Sequence, residues 1–113
     1  MSPSSRVLEV QLAGALGATF EGRTLVDGDL GGRRPRLMLA GILRQPDLAL
    51  RRDDLVRLLW PDEVPPTWAT ALRVTASKAR AALGGLLGPE VGDPLPATDS
   101  GYALRVPAGV LLR

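Results

Sequence analysis

The chain has 113 residues, 45% hydrophobic and 23% charged, with a formal net charge of +2, a pI near 9.9 and neither Cys nor His. That length suits one domain with its own hydrophobic core and is short for two. Without Cys or His there is no disulfide, no thiolate nucleophile, no Cys/His zinc site and no imidazole-based triad, and the lack of Cys fits a reducing cytoplasm.

At the N-terminus, Arg6 followed by VLEVQLAGALGA has the outline of a secretory signal, but Glu9 and Gln11 interrupt the apolar stretch. Read instead as a strand, residues 7–12 alternate Val7, Glu9 and Gln11 with Leu8, Val10 and Leu12, the period of a half-buried β-segment. Two further short strands are expected at Ala18–Phe20 and Thr24–Val26, separated by the Glu21-Gly22-Arg23 turn signal. Together they predict a small antiparallel sheet.

After a GDLGG turn, RRPRLMLAGILRQ places apolar residues on nearly every side and predicts a buried helix that Pro46 ends. Its longest apolar run, residues 37–43, is far short of the roughly 20 residues that span a bilayer. A second helix is expected over RDDLVRLLW, with Asp53 or Asp54 near its N-terminus in the favourable dipole position and Pro61 stopping it. The stiff loop PDEVPP then leads to Thr67, a suitable N-cap for a third helix.

That third helix carries the most informative pattern. Residues 64–89 contain Arg73, Lys78 and Arg80 and no acid, in a chain otherwise nearly balanced. At 100° per residue, Trp68, Leu72, Ala76, Ala79 and Leu83 share one arc, and Thr70, Arg73, Ser77 and Arg80 gather opposite, so one face packs and the other reaches outward. Gly84 and Gly85 predict its end. Beyond Gly88, a Ser100-Gly101 turn between two strand-like pieces predicts a hairpin. Trp60, Trp68 and Tyr102 are expected to pack rather than to stack on a ligand.

Enzyme chemistry finds no footing. The acid pairs Asp53-Asp54 and Asp62-Glu63 are adjacent in sequence and diverge on a helix, and no Gly-rich phosphate loop accompanies them, so neither catalysis nor a cofactor is expected.

The order of elements and the pieces DDLVRLLWPDEVPPTWATALRV, SKARAALGG and GYALRV resemble the DNA-binding domain of the Streptomyces antibiotic regulatory protein family of bacterial transcriptional activators, over residues 7–106. The resemblance implies an α+β fold, a winged helix-turn-helix of the OmpR/PhoB type. It would form a single domain over 1–113, with an N-terminal antiparallel sheet in 6–30, a three-helix core in 33–85 and a C-terminal β-hairpin wing in 95–106. It further implies sequence-specific binding of double-stranded DNA, with the third helix in the major groove and the wing beside it.

Carried onto this chain, the resemblance puts Thr70, Arg73, Ser77 and Arg80 on the groove-facing side, Lys78 at its edge and Arg105 near the wing. Arg73 is the first candidate for a bidentate contact to guanine, and Lys78 and Arg80 are candidates for phosphate. Asp62 and Glu63 in the proline loop would be handles for RNA polymerase or another protein, or part of a plain rigid connector. A second copy on direct repeats is a further implied partner; a membrane is not. Relatives continue into a helical effector domain, so a sequence stopping at Arg113 reads as part of a longer protein or as a short form. The alanines at 76, 79 and 81 keep a second reading open, a winged helix that docks proteins without reading DNA.

Overall fold

Alternation in the first segment produces strand β1 (Arg6–Gln11), whose inward residue Leu8 lies opposite Phe20 of β2 (Gly17–Phe20) in an antiparallel pair. The computed structural model describes residues 6–113; residues 1–5, the start of the expected domain, lie outside the described residues. Strand β3 (Arg23–Val26) pairs antiparallel with β2 through the two-residue link Glu21-Gly22. Both link residues have positive φ, 49° and 81°, the conformation whose twist matches two paired strands.

Phe20 is fully enclosed, and the guanidinium groups of Arg6 and Arg23 lie over its ring at 5.3 and 5.9 Å. Arg6 also bonds Glu21 at 2.7 Å and pairs with Glu90, and its hydrogen bond holds the Glu21 carboxyl below the ordinary range. One side chain thus fastens the first hairpin to the segment that follows the third helix.

Helix α1 (Arg33–Leu43) starts after a single-turn 3-10 segment and Gly31-Gly32, and encloses Met38, Leu39 and Ile42, with Leu37 and Leu43 at the margin. It is therefore more one-sided than its composition suggests. Between α1 and the next helix runs a strand that the sequence pattern does not announce, β4 (Ala49–Arg51). Helix α2 (Arg52–Leu59) follows at once, with Asp53 and Asp54 in its first turn, as expected, and Leu55 and Leu59 inward. Trp60 closes it from a buried position.

Helix α3 (Trp68–Leu87) corrects the expected end at Gly84-Gly85. It runs through both glycines and stops at Gly88, whose φ is 84°. Two helical glycines cost about 1 kcal/mol each, whereas enclosing Leu86 and Leu87 gains about 1.5–3 kcal/mol each, so burial wins. The Arg23 Nε–H donates to the Leu86 carbonyl at 2.7 Å and satisfies one end group of the last turn. At the other end Thr67 occupies the N-cap position without a side-chain capping bond, because its backbone (φ −92°, ψ 23°) is not extended as a capping residue's must be.

A Cβ added at Gly85 would meet open space. Gly85→Ala is accordingly expected to raise stability by about 0.5–1 kcal/mol, read as a higher midpoint in denaturant unfolding; an unchanged midpoint would contradict an interior helical position for Gly85.

The hairpin lies where expected. Its arms are joined by Thr98 N–H to Gly101 C=O (2.8 Å), Ala103 N–H to Pro96 C=O (3.2 Å) and Arg105 N–H to Pro94 C=O (2.8 Å), with Ala97 opposite Tyr102. The second arm contains β5 (Gly101–Ala103), which pairs antiparallel with β4. The chain then returns to the first sheet as β6 (Val110–Leu112), parallel to β1. The expected antiparallel sheet therefore gains a fourth, parallel strand, in the order β3-β2-β1-β6. One continuous core joins this sheet, the three helices and the wing through residues such as Phe20, Ile42, Leu55, Leu83 and Leu95.

Candidate nucleic-acid interface

Helix α3 is amphipathic in the sense its periodicity predicts. Leu72, Ala76, Ala79 and Leu83 are enclosed against α1 and the sheet, and Trp68 is half-buried. Thr70, Arg73, Ser77 and Lys78 are exposed on the far side. The Arg73 Nη2 lies 3.4 Å from the Thr70 hydroxyl one turn earlier, a long contact that steadies the guanidinium without neutralising it.

Sequence reasoning missed Val74, which sits in the middle of this outward face and is 50% exposed. Its place on the helical wheel, between Thr70 and Lys78, already points outward.

Arg80 is placed apart from these residues. Half-buried, it donates from Nε to Asp93 Oδ1 at 2.9 Å and from Nη2 to the Leu95 carbonyl at 3.0 Å, so its fork faces the root of the wing. Arg105 is exposed at the same root, four residues past the Gly101 end of the turn, while Asp99 and Ser100 occupy the exposed tip. Asp62 and Glu63 are exposed in the loop between α2 and α3, beside Val64.

The fold alone brings one group of cations beside α3 and another to the wing. A groove beside α3 is lined by Gly31, Gly32, Arg33, Arg34, Val74 and Lys78, among others, with no acid in its walls. Arg34 also stacks over Trp60 at 5.3 Å, which gives that tryptophan its packing role. At the wing, β4–β5 pairing sets Arg51 opposite Gly101, and the Arg52 N–H donates to the Ser100 carbonyl at 2.7 Å. Both arginines are exposed.

The ion pairs sort the cations further. Arg6, Arg23, Arg36, Arg57 and Arg80 each meet a carboxylate. Among the described residues the other nine cations meet none, Arg33, Arg34, Arg51, Arg52, Arg73, Lys78 and Arg105 among them. An anionic partner therefore encounters uncompensated positive charge on and beside the outward face of α3. No helix of the described residues is long and apolar enough to cross a membrane.

No family model and no curated protein matches the chain. Among solved structures it is similar to Mycobacterium tuberculosis EmbR, determined in complex with a low affinity phosphopeptide, with 28% identity and a TM-score of 0.70. The match covers 88% of this chain and 25% of that one, so the chain spans a quarter of EmbR's length. Three helices, the sheets and the hairpin, together with this likeness, establish an α+β winged helix of the kind found in EmbR.

Proposed function

We propose that the chain is the DNA-reading domain of a bacterial transcriptional regulator, with α3 in the major groove and the wing alongside. The observation that carries this reading is the outward face of α3. Thr70, Arg73, Val74, Ser77 and Lys78 stand there together, exposed, with both cations free of carboxylates. The likeness to EmbR and the sequence resemblance to the Streptomyces antibiotic regulatory proteins support it.

Each side chain then has a role set by its chemistry. Arg73 offers a planar fork to the O6 and N7 of a guanine, and Val74 offers a methyl surface to a thymine C5-methyl group. Thr70 and Ser77 supply short hydroxyls to base edges or phosphate. Lys78, with Arg33 and Arg34 across the groove, faces the sugar–phosphate backbone on one side of the helix, and Arg105 faces it on the wing side. The exposed loop with Asp62 and Glu63 serves as a contact for RNA polymerase, and activation from direct repeats would place a second copy beside the first. A cytoplasmic location follows from this role.

Selection from a random duplex library followed by titration of the enriched site tests the reading. With Arg33, Arg34, Lys78 and Arg105 on phosphates, log K is expected to fall against log salt with a slope of roughly −3 to −4. A fourfold rise in salt then weakens binding about 100-fold. No enriched sequence and only feeble binding at low salt would transfer the α3 face, with its exposed valine, to the docking of a protein.

A further inference from the structure

The first arm of the wing, residues 94–97, has an unusual polar edge. Pro94 and Pro96 have no N–H, and their carbonyls are used by Arg105 and Ala103 of the second arm. Leu95 points its backbone polar groups the other way: its N–H donates to Asp93 Oδ1 at 2.9 Å, and its carbonyl accepts from Arg80 Nη2 at 3.0 Å. Arg80 Nε closes the ring by donating to the same carboxylate oxygen at 2.9 Å. The outer edge of this arm is thus covered by one arginine and one aspartate.

The ring adds a directional polar link between two elements that otherwise meet through apolar packing in the shared core, around Leu83 and Leu95. Arg80 belongs to α3, three turns past the exposed Thr70, and Leu95 is wholly enclosed at the start of the wing. Between them the chain turns at Gly88 and Gly92, both with positive φ, through a single 3-10 turn at Pro89–Val91. Among the described residues the backbone hydrogen bonds of the wing run within the hairpin, to β4 and to the flanking Leu48 and Arg52, and none of them runs to α3.

We infer that Arg80 is a positioning residue, not a phosphate contact: with Asp93 it clamps the first arm of the wing to α3, so that the two elements meet DNA as one rigid body. The DNA half of this inference rests on the function proposed above. Two roles for Arg80 make opposite demands on Asp93. If Arg80 reaches phosphate, Asp93 competes for its charge and adds repulsion, so removing Asp93 tightens binding. If Arg80 is a clamp, removing Asp93 loosens the wing as removing Arg80 does, and binding weakens.

The experiment compares the parent with Arg80→Ala, Asp93→Ala, the double variant and Asp93→Asn, on the selected duplex and on the free protein. Each alanine variant is expected to weaken binding about fivefold to tenfold, and the double variant no more than either, as members of one network do. Asp93→Asn keeps an acceptor for Arg80 and Leu95 and is expected to bind nearly as the parent does. Base preference stays as in the parent, and protection of the duplex fades only on the wing side.

In the free protein, the amides of Thr98, Ala103 and Arg105, which hold the hairpin together, are expected to exchange faster in both alanine variants, with the midpoint of global unfolding little changed. Asp93→Ala binding as tightly as the parent or tighter, with Arg80→Ala weaker, would overturn the clamp in favour of a direct phosphate contact. Unchanged exchange at the three amides would overturn it as well. Should the parent select no duplex, the DNA reading fails by itself, and the exchange rates still decide whether Arg80 holds the wing.

Discussion

Replacing Gly101 by alanine is expected to cost about 3 kcal/mol of stability and to lower the midpoint of thermal unfolding by about 10–15 °C. The reason is the closeness of β4. A Cβ at position 101 would lie 2.0 Å from the Leu50 carbonyl oxygen, 2.8 Å from Arg51 Cα and 2.9 Å from Arg51 C, all backbone atoms. They cannot swing aside as a side chain can, because the same stretch is tied by Leu104 N–H to Leu48 C=O and by Arg52 N–H to Ser100 C=O.

Relief therefore requires parting β4 from β5, and with it the base of the wing. Gly41→Ala is the informative comparison. There the added Cβ would meet Leu58 Cδ2 at 2.6 Å, the movable end of a side chain, and the helix gains about 1 kcal/mol of propensity. A net change within about 1 kcal/mol is expected at Gly41. Comparable losses at both positions in denaturant unfolding would show that backbone crowding between β4 and β5 is not what sets the cost at Gly101.

Arg73→Ala is expected to weaken binding to the selected duplex by about 1–3 kcal/mol and to relax preference at one guanine. Arg73 is exposed, meets no carboxylate, and is steadied only by Thr70 one turn away. Arg73→Lys separates charge from shape: it keeps the cation but loses the planar fork, so the salt slope should survive while the guanine preference is lost. A uniform weakening across all sequences, with the slope reduced by about one contact, would instead make Arg73 a phosphate ligand.

The outward face of α3 was readable because a helix of period 3.6 sorts its own side chains. Leu72, Ala76, Ala79 and Leu83 had to share a side, and once they were enclosed, Thr70, Arg73, Ser77 and Lys78 had to face out. The role of Arg80 was not readable, because its partners Asp93 and Leu95 lie 13 and 15 residues further on, across two glycine turns. The groove beside Lys78 was hidden for the same reason: the Arg33-Arg34 pair is plain in the sequence, but only the packing of α1 on α3 brings it there.

By itself, then, the sequence determined the local elements. Leu8 and Val10 alternate into β1, Glu21-Gly22 turns β2 into β3, Pro46 and Pro61 follow the ends of α1 and α2, and the Thr98–Gly101 turn makes the hairpin. These depend on neighbours a few residues apart and on backbone preferences that each residue carries with it. Tertiary structure alone decided the rest. Strands β4 and β6 are three residues each and exist only because β5 and β1 pair with them from far along the chain. Helix α3 passes Gly84 and Gly85 because the sheet encloses Leu86 and Leu87 beyond them. In each case the free energy of a non-local contact exceeds a local preference of about 1 kcal/mol, and no window of sequence contains both partners.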